Sequence, residues 1–137
     1  MTVKTLLLGG WGDRAAICFS SLCILHCLLL PVLLVSYPIG IVVTLSDELF
    51  HQIMVYVALP LSLVSLHAGY GHHKRTHLVL FGCVGLAALV LPLVVPNELI
   101  SESDETWLTV SGALILCTTH IVNFRLCTGD QAYEKCA

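Results

Sequence analysis

Four long apolar segments, joined by short polar connections, constrain what this chain can form. They span about residues 14–37, 47–70, 76–95 and 104–125. About 20 apolar residues in a helix are enough to cross a bilayer, and each segment is roughly that long. Only 11% of the residues are charged, whereas globular domains have about 25%. The pattern predicts an all-α fold: an integral membrane four-helix bundle that forms one domain over residues 1–137.

Residues that break or cap helices set the expected boundaries. The apolar run of the first segment continues past Pro38, which makes it longer than one upright span needs. We expect a break at residues 37–40, because proline cannot continue the helical hydrogen-bond ladder and glycine loosens it. The candidate capping residues are Ser46 or Asp47 for the second helix and Ser103 or Asp104 for the fourth.

The distribution of charge predicts the orientation in the membrane. All basic residues fall on one side of the predicted spans, while the connections at residues 46–48 and 97–105 contain acidic residues and no lysine or arginine. The positive-inside rule therefore places both termini in the cytoplasm. The basic residues are few and scattered and the net charge is −3, so we expect no nucleic acid partner.

The first segment contains a group of soft metal ligands in the run SLCILHCLLLP, residues 21–31. On an α-helix, Cys23 and Cys27 lie one turn apart, and His26 shares their face. Pro31 has no N–H, so the carbonyl of Cys27 also loses its helical partner. Thiolate and imidazole suit Zn²⁺, Cu⁺ and similar ions. The spacing predicts a soft-metal site at membrane depth.

Charge explains why thiols suit this depth. A bare divalent cation is very costly to move into hydrocarbon. Two cysteines that lose their protons on binding form a neutral complex with a divalent ion, and without metal they are neutral thiols. Carboxylates or lysines at the same depth would be charged when empty. Cysteines at this spacing also suit the near-linear coordination that Hg²⁺ favours, and His26 would add a third ligand.

Further candidate ligands lie towards both ends of the predicted spans. Towards the cytoplasm they would continue a path inward, and at the outer end they would capture an incoming ion. The candidates in the cytoplasmic half are His67, Cys117 and His120, and those at the outer end are Glu48 and His51, three residues apart on one helical face.

Each candidate has a structural alternative. A single buried cysteine usually behaves as a small hydrophobic residue, and an intramembrane histidine can bond a neighbouring carbonyl. Asp47 can serve only as a helix cap. The histidines of the basic connection favour a solvated loop over a ligand role; they are His72, His73 and His77.

Three stretches resemble the MerC family of inner-membrane mercury transport proteins. In the first, Asp13-Arg14 is followed by SSLCILHC at residues 20–27 and by Pro31. The others are ELFH at residues 48–51 and HIVNFRLC at residues 120–127. The resemblance covers nearly the whole chain. It implies four transmembrane helices and uptake of Hg²⁺ through membrane cysteines into the cytoplasm.

The leading hypothesis is uptake of Hg²⁺, or another thiophilic divalent metal such as Zn²⁺, through Cys23, His26 and Cys27. The metal ion and the lipid bilayer are the expected partners, and a bundle of only four helices favours a homodimer. The sequence contains no phosphate-binding loop or hydrolase triad, so we expect no enzymatic activity and no organic cofactor. The alternatives are a metal sensor or structural protein without flux, a zinc, iron or copper carrier, and a thiol redox enzyme.

Overall fold

The computed structural model describes four α-helices. Its described backbone covers residues 10–36, 40–96 and 99–136, with side chains except at residues 30, 31, 33–36, 40–48, 72 and 129–136. Each helix contains a stretch long and apolar enough to cross a membrane, with mean hydropathy from 1.4 to 2.4. This confirms the prediction of an all-α protein with four membrane-spanning helices. They are α1 Trp11–Ser36, α2 Gly40–His73, α3 Thr76–Val94 and α4 Glu102–Cys136.

Helix α4 packs against the other three helices, most extensively against α1 and α3. It runs antiparallel to α1, because the start of α1 meets the second half of α4. A second contact supports this direction: Ser21, which follows Asp13 on α1, has its Oγ 3.9 Å from Sγ of Cys117, which precedes His120 on α4. The charged side chains therefore divide between a basic end of the bundle and an acidic end. The basic end carries Arg14, Lys74, Arg75 and Arg125, and the acidic end carries Glu102, Asp104 and Glu105.

Small residues allow α3 and α4 to approach closely. A Cβ added at Gly112 would lie 2.9 Å from the backbone oxygen of Gly85. A Cβ added at Gly85 would lie 2.9 Å from Leu116 Cγ. Membrane helices associate through such close packing, since lipid tails provide no hydrophobic driving force between helices. This contact fixes α3 against α4.

A single buried cluster forms the core of the described bundle, and all four helices contribute to it. Its members are Cys23 from α1, Val55 from α2, Leu86 and Leu89 from α3, and Ala113 and Leu116 from α4. The exterior is apolar too, with many exposed leucines, valines and aromatic residues. An apolar outer surface is what lipid contact requires.

The start of α1 is held against α4 at the basic end. Gly10 has a positive φ of +77°, and a Cβ added to it would lie 2.5 Å from the Phe124 ring. The guanidinium of Arg14 lies 5.1 Å from the centre of the same ring, a favourable cation–π distance. These contacts bring the first turn of α1 onto the second half of α4.

Two capping predictions are wrong. Helix α2 begins at Gly40, so Ser46 and Asp47 lie inside the helix; the apolar residues before them contain no helix breaker, and the helix starts earlier. Helix α4 is capped by Ser101 instead of Ser103 or Asp104. Ser101 Oγ accepts the Asp104 N–H at 3.2 Å and donates to Asp104 Oδ2 at 2.7 Å. Asp104 is therefore the third residue of the helix and completes the cap.

The predicted break at residues 37–40 falls mostly outside the described residues. Helix α1 ends at Ser36 and α2 begins at Gly40, so the described helices flank it on both sides. Helix α3 ends at Val94, just before Pro96, as the sequence indicates. Helix α4 continues to Cys136, well past the predicted end near Arg125.

Candidate functional site

Cys23 and Cys27 lie on the side of α1 that faces the bundle. Cys23 is 6% exposed and belongs to the core cluster. Cys27 is half-buried and packs against the same cluster. The buried residues Asp13, Ala16 and Ser20 precede them on α1 at spacings of three or four, which is the period of one helical face. The structure places the predicted thiol pair against the core of the bundle.

His26 points towards α2 in this conformation. Its ring stacks on Phe50, with ring centres 4.0 Å apart and an angle of 26° between the planes. Among the described residues, no three histidine, cysteine, aspartate or glutamate side chains are grouped so that they could hold a metal ion. The described residues therefore present a thiol pair that packs on the core and an imidazole that stacks on Phe50, and a site of three ligands stays a prediction.

A small cavity lies beside Cys23. Its volume is about 10 Å³, which is about the room that one water molecule needs. Side chains from all four helices line it, and most are apolar. Four of the lining residues are relevant to metal binding: Ser20 and Cys23 from α1, and Met54 and Ala58 from α2.

A buried hydrogen-bond network lies nearer the basic end, centred on the Asp13 carboxylate. Asp13 is 3% exposed and His120 is fully buried. His120 Nδ1 lies 2.7 Å from Asp13 Oδ1. The Asn123 amide donates to both carboxylate oxygens, at 3.1 Å and 2.9 Å. We call Asp13, Ser62, His73, His120 and Asn123 the Asp13 network.

Helix α2 completes the Asp13 network from the other side. The Arg75 backbone N–H donates to His73 Nδ1 at 3.0 Å. The hydrogen of the His73 ring is therefore on Nε2, which donates to the side-chain oxygen Oδ1 of Asn123 at 2.8 Å. Ser62 Oγ lies 3.1 Å from His120 Nε2. A carboxylate can only accept, so His120 Nδ1 donates to Asp13 and His120 Nε2 faces the Ser62 hydroxyl. Every member therefore has a consistent donor or acceptor role.

The burial of an ionisable carboxylate makes this network a candidate functional site. A buried carboxylate is tolerated only when it is hydrogen-bonded, and the His120 and Asn123 side chains donate these bonds to Asp13. Ionisable groups inside membrane proteins are rare, and they usually mark the path of an ion or a proton. The arrangement of a carboxylate, a histidine and a lone pair on the far nitrogen is also the one that orients histidine ligands in metal sites.

The other residues predicted in this half of the bundle lie apart from one another. Cys117 is half-buried, and its Sγ contacts Ser21 Oγ at 3.9 Å. It precedes His120 by one turn on α4. His67 is exposed, and Ser62 is the α2 side chain that reaches His120.

At the acidic end, His51 approaches a residue that the sequence did not single out. His51 Nδ1 lies 3.9 Å from Glu105 Oε1 of α4. The backbone of Glu48 belongs to α2, but its side chain lies outside the described residues. The structure thus adds Glu105 to the polar groups near the predicted outer end.

Sequence reasoning missed four members of the Asp13 network: Asp13, Ser62, His73 and Asn123. Asp13 and Asn123 are polar residues at the edges of apolar segments, which was a usable signal, and Asn123 follows His120 by one turn. His73 was assigned to a solvated loop. That assignment is wrong, because His73 is half-buried and bonds Asn123.

The fold and the site define an integral membrane protein with a thiol pair at its core and a buried carboxylate–histidine pair nearer the basic end of the bundle. The family profile described as MerC mercury resistance protein matches residues 13–125. The match covers most of the chain, so the protein belongs to the MerC family and is a mercury-resistance membrane protein. The resemblance seen in the sequence is thereby confirmed. Comparison with curated proteins and with solved structures finds no significant match.

Proposed function

We propose that this protein carries Hg²⁺ inward across the cytoplasmic membrane and that Cys23 and Cys27 form its central binding site. The observation that carries the proposal is the position of the thiol pair, which faces the core of a four-helix membrane bundle. Family membership supports mercury as the cargo. Other thiophilic divalent ions such as Zn²⁺ fit the same ligands less specifically.

The chemistry keeps the buried complex neutral. Each thiol loses a proton as it binds, so one Hg²⁺ and two thiolates form an uncharged unit and release two protons to solvent. An uncharged unit avoids most of the cost of placing an ion in hydrocarbon. His26 joins as a third ligand when its ring leaves Phe50.

The orientation follows from the two ends of the bundle. The basic end carries Arg14, Lys74, Arg75 and Arg125, and basic residues favour the cytoplasmic side. Both termini are then cytoplasmic, and the acidic end faces outward. The ion would enter near His51, Glu48 and Glu105, where carboxylates attract a cation, and move towards softer ligands.

The Asp13 network then lies on the cytoplasmic side of the thiol pair. Its His120 Nε2 faces Ser62, whose hydroxyl can turn away, while Asp13 holds the ring through Nδ1. We assign His120 the role of the next ligand. An ion that leaves the thiol pair would pass Cys117, one turn before His120 on α4, to reach it. A tight thiol pair releases its ion slowly, and conduction needs a further site that is weak enough to leave.

The decisive test is the double variant Cys23→Ser/Cys27→Ser. We expect it to lose high-affinity binding of Hg²⁺ because serine hydroxyls are poor ligands for a soft ion. Helix content, measured by circular dichroism, should not change. Binding is measured by calorimetry or mass spectrometry on the purified protein.

The matched control is Cys18→Ser/Cys83→Ser, which also removes two cysteines, both of them exposed. It should bind Hg²⁺ as the wild type does at the high-affinity site. If both double variants bind equally well, the central site has been assigned to the wrong residues.

A further inference from the structure

We propose that Cys23 and Met54 form a second metal site in this bundle, which binds a soft monovalent cation such as Cu⁺ or Ag⁺. It shares Cys23 with the proposed Hg²⁺ site but requires neither Cys27 nor His26. The ligands are the thiolate of Cys23 on α1 and the thioether of Met54 on α2, which both line the small cavity enclosed by the four helices.

The register of α1 and α2 places the two side chains opposite each other. Helices α1 and α2 run antiparallel, and the stack of His26 on Phe50 shows that these two residues lie at the same height along the pair. One turn towards the basic end, α1 presents Cys23 and α2 presents Met54. The shared cavity independently shows that both side chains border the same space.

The cavity itself argues against a purely structural role for Met54. Methionine commonly fills irregular gaps in cores because its side chain is flexible and polarisable. Here a cavity of about 10 Å³ remains beside it, and the small side chain of Ala58 keeps that space open. The thioether therefore has room to approach Cys23 when an ion binds.

Charge selects the class of ion. When a monovalent ion binds, the Cys23 thiol releases one proton to solvent and forms a thiolate–metal bond, while Met54 donates a lone pair and stays neutral. The buried complex has no net charge, as burial in apolar surroundings requires. A divalent ion on the same two ligands would keep one positive charge. Zn²⁺ also prefers thiolate, imidazole and carboxylate ligands, and thioethers are not among its usual partners.

The test is a pair of single variants with opposite expected effects. Cys27→Ser should lose Hg²⁺ binding and keep Ag⁺ binding. Met54→Leu should keep Hg²⁺ binding and weaken Ag⁺ binding by at least about tenfold, because the loss of a direct ligand should cost no less than the loss of a group that only supports a ligand. Exchange of methionine for leucine conserves volume and is usually well tolerated. Titrations contain a competing monothiol, so that exposed cysteines do not retain the ion.

Two further measurements test the second site without relying on the Met54→Leu affinity alone, which a change in folding could also lower. Ala58→Val should weaken Ag⁺ binding although every sulfur atom is retained, because it fills the cavity. The chain has two methionines, so selenomethionine labels only Met1 and Met54. X-ray absorption at the selenium edge should show a silver neighbour in the wild type and none in Met54→Leu.

The outcomes separate this proposal from the proposed function. If selenium has no silver neighbour in the wild type, or if Met54→Leu binds Ag⁺ as tightly as the wild type, the second site is wrong and the Hg²⁺ site is unaffected. If Cys23→Ser/Cys27→Ser retains high-affinity Hg²⁺ binding while Met54→Leu loses Ag⁺, the Hg²⁺ assignment fails and the monovalent site stands.

Discussion

At the scale of single residues, Asp13 organises the basic half of the bundle. Its carboxylate accepts three hydrogen bonds, one from His120 and two from Asn123. Hydrogen bonds to a charged group are each worth about 1.5–3 kcal/mol, and a buried carboxylate without them would be strongly unfavourable. The carboxylate therefore determines which nitrogen of His120 faces Ser62 and the interior.

The variant His120→Gln tests the role of that nitrogen. A glutamine amide can still donate to Asp13, so the buried carboxylate keeps a partner, but the imidazole lone pair is gone. We expect Hg²⁺ binding at the thiol pair to persist and the rate of its appearance inside oriented proteoliposomes to fall at least about tenfold, as for loss of a group that supports a metal site. Total bound metal is measured separately.

The control is His77→Gln, which changes an exposed histidine at the same end of the bundle. It should leave both binding and rate unchanged. Loss of binding in His120→Gln would make His120 part of the central site, and an unchanged rate would remove it from the path.

At the scale of helices, the close approach of α2 to α4 holds the Asp13 network together. A Cβ added at Gly69 would overlap the side-chain amide of Asn123. At Gly71, two residues later on α2, a Cβ would meet nothing within 4 Å. The absence of a side chain at Gly69 thus lets α2 approach the amide that bridges Asp13 and His73.

The variants Gly69→Ala and Gly71→Ala form a matched pair on this helix. Gly69→Ala should displace Asn123 and leave donors or acceptors of the network unsatisfied, which costs about 1–3 kcal/mol for each buried group. Gly71→Ala should be neutral or slightly stabilising, because alanine has the higher helix propensity. Thermal unfolding in detergent, followed by circular dichroism, measures the difference. Equal unfolding temperatures for the two variants would contradict this view of the α2–α4 contact.

At the scale of the whole molecule, the type of candidate metal ligand changes from one end of the bundle to the other. His51 and Glu105 lie at the acidic end, the thiol pair faces the core, and the Asp13 network lies towards the basic end. A cation that enters at the acidic end meets carboxylates first, thiols next and an imidazole last. This order matches the inward polarity of the proposed transport.

The double variant Glu48→Gln/His51→Ala tests the acidic end. We expect it to slow Hg²⁺ uptake by cells, with little change in equilibrium binding at Cys23 and Cys27, because these groups attract the ion before it enters. Adding Glu105→Gln should slow uptake further. Glu102→Gln, an exposed change at the same end, is the control.

Two results would change the interpretation. Equal losses of affinity and uptake would place Glu48 and His51 in the central site. A wild type that binds Hg²⁺ but shows no flux in proteoliposomes under any gradient would make the protein a membrane metal sensor instead of a carrier.

The amino-acid sequence by itself determined the features that depend on local spacing. The four spans follow from segment length and the near absence of charge, because about 20 apolar residues form a helix that crosses hydrocarbon with its backbone groups satisfied internally. The shared face of Cys23 and Cys27 follows from the helical period alone. Residues 13–125 accordingly match the MerC family, as the sequence motifs indicated.

Only the tertiary structure decided which distant groups meet. Asp13 and His120 are 107 residues apart in the sequence, and local periodicity carries no information on such a pair. The direction of His26, the cavity between Cys23 and Met54 and the inclusion of His73 in a buried network likewise depend on how the helices pack. The physical reason is that a buried polar or soft side chain takes its role from the partners across a helix interface, and these are set by helix register and close approach.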